Sequence, residues 1–352
     1  MKRTVEIVDA GTTVPVSEDE TVLSAALGAG VPYPHSCQAG RCGACKSRLL
    51  SGQVELLPHS RFALSAEERS QGLILACRAT PRSDLVLSWQ SGTQVPPAVH
   101  YGQADVVAKH EIAPSIFRMV LRSRAGTFDF RPGQYFDLGF PETPLRSFSP
   151  ASQPGDKDIE FHIRALPGGV ASSIVAGRLA LGDTVAINGP YGDAYLRETH
   201  QGPLLLLAAS SGLAPIKAML DCSLNVTPTR QTHLYVSARS ADAGYLWGYL
   251  EHLAGQHPNL RFKSVVTRGQ DGRPTGKRLP EVLHQDFGSG DLTGWEVHAA
   301  GPEPFVEAMR STATLLAASE VYADAFVAAA PGSSQGSDSR LSGRELALQD
   351  PS

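Results

Sequence analysis

Three cysteines, Cys37, Cys42 and Cys45, share one short glycine-bearing segment with four and then two residues between them, and Cys77 follows after thirty-one more. Thiolates so spaced can converge on one small inorganic cluster, three from a tight loop and the fourth from a distant, rigid segment. That is the ligand spacing of a [2Fe-2S] centre. Gln38, Ala39, Gly40, Gly43 and Ala44, which lie among them, are mostly small or flexible. Backbone N–H groups can therefore turn toward the sulfurs, where hydrogen bonds help set the reduction potential. Arg41 is long and charged, and reads equally as a partner contact and as a solvated loop residue.

Disulfides and zinc are the competing uses of four cysteines. Met1 to Gly11 alternates polar with apolar residues and has no apolar core of signal-peptide length, so export to an oxidising compartment is not expected. Zinc sites usually pair two-residue gaps, whereas the extra four-residue gap suits a loop wrapped around a cluster. The fifth cysteine, Cys222, falls in the apolar stretch Pro215 to Leu224 and reads as an ordinary buried thiol.

At 352 residues the chain exceeds a single common core, so two or three domains are expected. The longest apolar block, Pro203 to Ala209, is far short of a membrane span, which points to a cytoplasmic chain with no membrane segment. A net charge of −4 with interspersed signs argues against nucleic-acid binding. Small cofactors and another protein are the expected partners.

Val5 and Ile7, then Thr13 and Pro15, read as a hairpin; Val22, Leu23, Ala26 and Leu27 read as an amphipathic helix stopped by Gly28 and Gly30. The cysteine loop follows, then Leu49 to Leu57 as one strand around Gly52 and Leu73 to Cys77 as a short apolar run. Ser91 to Pro97 is a linker by composition. From about 101 to 200, period-two runs at Gln103–Lys109, Phe117–Leu121 and Asp158–Arg164 between Gly and Pro turns predict an antiparallel barrel. Beyond 201 the pattern is strand, turn and helix: Leu204–Leu207 before a helix at Pro215, then His233–Ser237, then Val297–Ala300 before Pro304–Leu315. Residues 329–352 lose periodicity and read as a disordered tail.

The barrel carries Arg146, Ser147, Phe148 and Ser149, and then His162 to Ser173 with Gly168 and Gly169. With a cysteine-bearing domain before it and a nucleotide domain after it, this order resembles the reductase components of bacterial ring-hydroxylating oxygenases, within the ferredoxin-NADP reductase superfamily. The resemblance runs from residue 1 to about 327 and is strongest to the naphthalene dioxygenase type, which ends similarly to Tyr322–Phe326. It implies an α+β and α/β multidomain chain. Residues 1–93 would form a plant-type [2Fe-2S] ferredoxin domain of β-grasp fold, 101–200 an FAD-binding antiparallel β-barrel, and 201–328 an NAD(P)-binding α/β domain with a parallel sheet.

Carried over residue by residue, the resemblance implies that Arg146 holds the flavin pyrophosphate, Phe148 stacks on the isoalloxazine where the family usually has Tyr, and Ser149 sits near N5. A planar guanidinium suits phosphate and an aromatic face suits a flat heterocycle. Gly168 and Gly169, ahead of an apolar helix running to Leu179, could cradle the same pyrophosphate, with Ser147, His162, Arg164 and Ser172 on the same segments. Gly189, Pro190, Tyr191 and Gly192 also match the family, and match a plain tight turn almost as well. Phe326 would cover the other flavin face; packing of a terminal strand explains it equally.

In the nucleotide domain the family pattern Gly-Gly-Thr-Gly-x-Ala-Pro corresponds to Ala209, Ser210, Ser211, Gly212, Leu213, Ala214 and Pro215. Two glycines are replaced, and each added Cβ narrows the approach of a dinucleotide to the backbone. Ala300 stands before Gly301 where the family usually has Cys, a residue that lies near the nicotinamide. Arg239, after the second strand, could meet the adenosine ribose or a 2′-phosphate, or be merely solvated.

The function implied is hydride transfer from NADH, or NADPH, onto FAD, followed by single electrons through the cluster to an oxygenase component or a Rieske-type ferredoxin, from a monomer. Two other functions remain open on these residues. One is reduction of a dehydratase-bound deoxysugar intermediate, as in reductases resembling glucoseen reductase. The other is a redox-sensing interaction module, in which Ala209, Ser210 and Ala300 have cost the dehydrogenase step.

Overall fold

The computed structural model describes residues 2–35, 38, 40, 43–59, 63–89, 99–197, 199–288, 291–319 and 321–326. The linker Ser91–Pro97, Ser36, Cys37, Ala39, Arg41, Cys42 and the tail 329–352 lie outside them.

The first unit comprises β1 (Lys2–Ile7), β2 (Thr12–Ser17), α1 (Val22–Gly28), β3 (Lys46–Ser51), β4 (Val54–Leu56), α2 (Ala66–Ser70), β5 (Leu73–Leu75), β6 (Ala79–Pro81) and β7 (Leu85–Trp89). The sheet order is β2-β1-β7-β3-β5, parallel at β1–β7 and antiparallel elsewhere. With α1 laid across it, this is the β-grasp arrangement. Val5, Ile7 and Val16 are fully buried, so the inward residues of β2 are Val14 and Val16, while Thr13 and Pro15 face out. Thr21 caps α1, its Oγ1 accepting from the Ser24 N–H at 3.2 Å. The single strand expected over Leu49–Leu57 is two, because Gly52 turns at φ +98 where a Cβ would lie 2.3 Å from the Asp84 carbonyl oxygen. β4 leaves the main sheet to pair with β6.

The second unit is β8 (His100–Ala113), β9 (Ile116–Ser123), β10 (Tyr135–Gly139), β11 (Arg146–Phe148), β12 (Asp158–Arg164), α3 (Val170–Ala176) and β13 (Thr184–Tyr191). Its antiparallel sheet runs β11-β10-β13-β8-β9-β12, and a bridge between Pro150 and Phe161 brings the two edges together into the expected barrel. Inside, Phe136 meets Phe128, Phe130 and Phe161 edge-on. The ring of Tyr191 lies 6.1 Å from that of His35 in the first unit.

The third unit is β14 (Leu204–Ala209), α4 (Leu213–Val226), β15 (Thr232–Ala238), α5 (Trp247–Gln256), β16 (Leu260–Val266), α6 (Leu279–Phe287), β17 (Glu296–Pro302), α7 (Glu303–Leu315) and β18 (Val321–Phe326). All neighbours are parallel in the order β16-β15-β14-β17-β18. Leu204 to Ala208 are fully buried because α4 and α5 pack on one face of β14, and α6 and α7 on the other. Ile116 and Leu196 extend the α4 side of this core toward the barrel. Beneath the sheet, Arg230 and Glu296 form a buried ion pair at 2.8 Å, and His298 Nε2 donates to Glu296 at 2.7 Å. Burial raises the Glu296 pKa, but His298 and Arg230 outweigh it and bring the value down to about 2. Chain order reverses between β14 and β17, and in such sheets ligands bind outside the carboxyl ends of the strands at that point.

Candidate active site

Pairing of β3 with β5 sets Lys46 opposite Leu75, so Cys45 and Cys77 come together just past the paired ends. Both are 3 % exposed, and the Cys77 N–H donates to Cys45 Sγ at 3.4 Å, a contact suited to a sulfur carrying negative charge. The preceding segment bends at Gly40 and Gly43, both at positive φ; a Cβ on Gly40 would stand 2.8 Å from Arg78 Cγ. Arg78 Nε is buried without a hydrogen-bond partner. An anionic thiolate cluster is the kind of group that such a cation would neutralise, so the described part of this site fits a [2Fe-2S] centre. Cys37 and Cys42 lie outside the described residues. Cys222, expected to be an ordinary buried thiol, is half-buried and packs at the edge of the α4 core.

On the flavin side, β10 pairs Phe136 with Phe148 and Leu138 with Arg146. Arg146 and Phe148 therefore share one face of β11, and Ser147 faces the other way, donating to Asp137 Oδ1 at 2.6 Å. Burial raises the Asp137 pKa against the lowering effect of that bond. Arg146 is half-buried and donates to the Leu145 carbonyl at 2.9 Å; Phe148 is half-buried and lies edge-on to Phe140 at 6.1 Å. Leu145 beside Arg146, and Leu166 and Val170 on either side of the Gly168–Gly169 turn, are 45 %, 44 % and 61 % exposed, apolar surface that a flat cofactor could cover. A guanidinium, a partly open ring and exposed apolar side chains fit FAD.

Ser149 is buried, and its Oγ donates to Asp324 Oδ2 at 2.9 Å. Burial pushes the Asp324 carboxyl up to about 6, with the Ser149 bond opposing it. This bond ties the barrel to the last strand of the nucleotide sheet. Asp324 is a site residue that the reading of motifs passed over. A signal was present, since it lies two residues from Phe326 and so on the same face of an extended strand.

The remaining flavin-side residues divide. Gly168 has φ +76 and open space where a Cβ would be, but the Gly169 N–H already donates to the Leu166 carbonyl at 3.0 Å. Ser172 Oγ closes the same turn, accepting from the Leu166 N–H at 3.2 Å. The helix behind them stops at Ala176 rather than Leu179 because the chain turns off at Gly177. His162 is 4 % exposed and donates from Nε2 to Glu160 Oε1 at 2.8 Å, with Arg118 on the same carboxylate and the ring edge-on to Tyr245 at 5.4 Å. Burial lowers the His162 pKa; for Glu160 burial raises it, but His162 and Arg118 bring it to about 2. Arg164 reaches across to the nucleotide domain, Nη1 donating to Ser210 Oγ at 2.7 Å.

The carboxyl ends of β14 and β17 meet backbone to backbone. A Cβ on Gly212 would lie 2.1 Å from the Ala300 carbonyl oxygen, and one on Gly301, at φ +149, 2.9 Å from the Ala209 carbonyl oxygen. These two positions leave no room for a side chain. Ala300 is itself 1 % exposed. Ser210 and Ser211 form a 3₁₀ turn with Gly212, and α4 starts at Leu213, two residues before the expected Pro215, which its first turn accommodates. The amino end of this long helix thus sits at the switch point, where dinucleotide phosphates are favoured. Arg239 is exposed one residue past β15, and Phe326, half-buried, ends β18 opposite Pro302.

Family models match in the same order: a 2Fe-2S iron-sulfur cluster binding domain over residues 5–82, an oxidoreductase FAD-binding domain over 103–195 and an oxidoreductase NAD-binding domain over 206–311. The chain is 30 % identical to the reductase component of phenol 2-monooxygenase from Pseudomonas sp. strain CF600, with 97 % of this chain and 99 % of that one covered. It is 32 % identical to the ferredoxin–NAD(P)+ reductase component of the naphthalene 1,2-dioxygenase system of Pseudomonas putida, covering 89 % and 95 %. The crystal structure of the Amycolatopsis cytochrome P450 reductase GcoB superposes with a TM-score of 0.72 at 32 % identity, covering 92 % and 98 %. Three cofactor domains in one order along a full-length match leave a single assignment: the chain belongs to the iron-sulfur flavoprotein reductases, the NAD(P)H-oxidising components of oxygenase systems, which bind a [2Fe-2S] cluster, FAD and NAD.

Proposed function

We propose that this reductase draws hydride from NADH, with NADPH as the second choice, and delivers single electrons to the oxygenase component or Rieske-type ferredoxin of a system that hydroxylates aromatic compounds. Relatives named for phenol, naphthalene and aromatic O-demethylase systems support the aromatic class. Flavin supplies the conversion of a two-electron donor into single electrons. Cys37, Cys42, Cys45 and Cys77 hold the cluster; Arg146 holds the flavin pyrophosphate, Phe148 and Phe326 bracket the ring, and Ser149 lies where hydride arrives. Gly168, Gly169 and Ser172 shape the turn beside it, His162 braces the barrel against Tyr245, and Ser211, Gly212, Gly301 and Arg239 line the nucleotide side. Boundaries at 1–93, 101–200 and 201–328, a monomer and a cytoplasmic location complete the reading. In its support, no helix among the described residues is long and apolar enough to cross a membrane.

The observation that carries the proposal is the Ser149–Asp324 hydrogen bond. It joins the flavin-side motif to the last strand of the nucleotide sheet. Ser149 presents its oxygen, and Asp324, with a pKa of about 6, holds the hydroxyl proton of Ser149 in place at neutral pH. The test is an anaerobic visible spectrum of the purified protein before and after one equivalent of NADH, then NADPH, with flavin and cluster bands followed separately. Prompt bleaching of both bands by one nucleotide is expected; bleaching by dithionite alone would defeat the proposal.

A further inference from the structure

Ser210 occupies a position of special geometry. It has φ +57, in the left-handed region that costs a residue with a Cβ and that glycine enters freely. Its hydroxyl accepts from Arg164 Nη1 at 2.7 Å, a charge-assisted bond between the barrel and the turn that leads into α4. That turn is also where a dinucleotide phosphate meets the sheet, at the carboxyl end of β14 and the amino end of α4. Arg164 therefore brings a guanidinium to this turn, and one of its N–H groups is committed to a neutral hydroxyl of the chain itself.

We propose that Ser210 is an affinity-setting latch: it holds Arg164 against the phosphate-binding turn, and a dinucleotide must take Arg164 from Ser210 in order to bind. This rests on the nucleotide-site reading above. Backbone geometry accounts for why the latch falls at this residue. Gly212 and Gly301 are barred from carrying a side chain by the Ala300 and Ala209 carbonyl oxygens, whereas Ser210 carries one at the cost of a left-handed φ. The Arg164 bond offsets that cost in the free protein and raises the barrier to the bound one. Removing the hydroxyl should thus strengthen nucleotide binding, the reverse of what loss of a binding residue would do.

The test is titration of the FAD- and cluster-loaded protein with NAD+, which binds without turnover, by calorimetry. Ser210→Gly is expected to lower the Kd by about three- to tenfold, the worth of one hydrogen bond released. Ser210→Ala, which keeps the Cβ and loses the hydroxyl, is expected to show most of the same gain. In an Arg164→Met background the gain from Ser210→Gly should vanish, because nothing is left to release. Unchanged or weaker binding by both Ser210 variants overturns the latch, and so does a gain that persists without Arg164, which would assign it to the Cβ alone. Absence of NAD+ binding by the unsubstituted protein would instead overturn the nucleotide-site reading, so the two failures are told apart.

Discussion

The pair Cys45–Cys77 and the junction between the barrel and the nucleotide sheet are built in different ways. Cys45 and Cys77 lie 32 residues apart, and one antiparallel strand pair inside one small unit brings them together. Ser149, one residue past β11, and Asp324 in β18 lie 175 residues apart, and their approach requires both units to be folded and docked. Arg164–Ser210, His162–Tyr245 and the Lys217 ammonium on the Ala151 carbonyl at 3.1 Å cross the same junction. A metal centre needs a fixed ligand shell and gains from a local, covalent spacing. A junction between units, by contrast, leaves room for relative motion of its two sides.

Substitutions should break these two regions independently. Cys77→Ser should abolish the cluster bands and leave flavin reduction by NADH in place, read from the visible spectrum and from electron paramagnetic resonance of the reduced protein; loss of flavin as well would contradict separate sites. Arg230→Ala leaves the buried Glu296 carboxylate without its cationic partner and should destabilise the nucleotide domain by about 3 kcal/mol, lowering its thermal transition while the cluster bands persist. Ser149→Ala should slow flavin reduction by about ten- to a hundredfold in stopped flow. Asp324→Asn should remove an inflection near pH 6 from the pH profile of that rate, since the carboxyl is the group that titrates there.

Acid should reach the junction as well. His162 and His298 are held neutral by burial, with folded pKa values below the ordinary 6.5. The unfolded chain then binds protons first, so their contribution is intact above pH 6.5 and is lost as pH falls below it. The thermal transition should therefore hold steady from pH 8 to about pH 6.5 and drop as the pH falls further toward 5.5. The smallest effect belongs to the surface: Arg178→Ala breaks an ion pair with Glu142 whose side chains are 59 % and 78 % exposed, and should change stability by no more than about 0.5 kcal/mol.

Much of this arrangement was legible in the chain. The cysteine gaps carry a ligand geometry in themselves, and the alternation of β12 and the unbroken Leu204–Leu207 run distinguish a barrel strand from a strand buried on both faces. The misread elements share a local cause. Leu49–Leu57 has the composition of one strand, and only the close approach of the Asp84 carbonyl to Gly52 makes it two. The run to Leu179 is apolar enough to continue a helix, yet the chain leaves the helix at Gly177 and buries Leu179 in the barrel core instead.

Residue identities and spacing settled which chemistry the chain can do, because thiolates, a guanidinium and an aromatic ring carry their preferences wherever they are placed. Tertiary structure alone decided which of them meet. His162 packed against Tyr245, Asp324 joined Ser149, and Arg164 reached Ser210. Each of those outcomes depends on how the three units pack against one another, and short-range sequence pattern carries no record of contacts made between sheets.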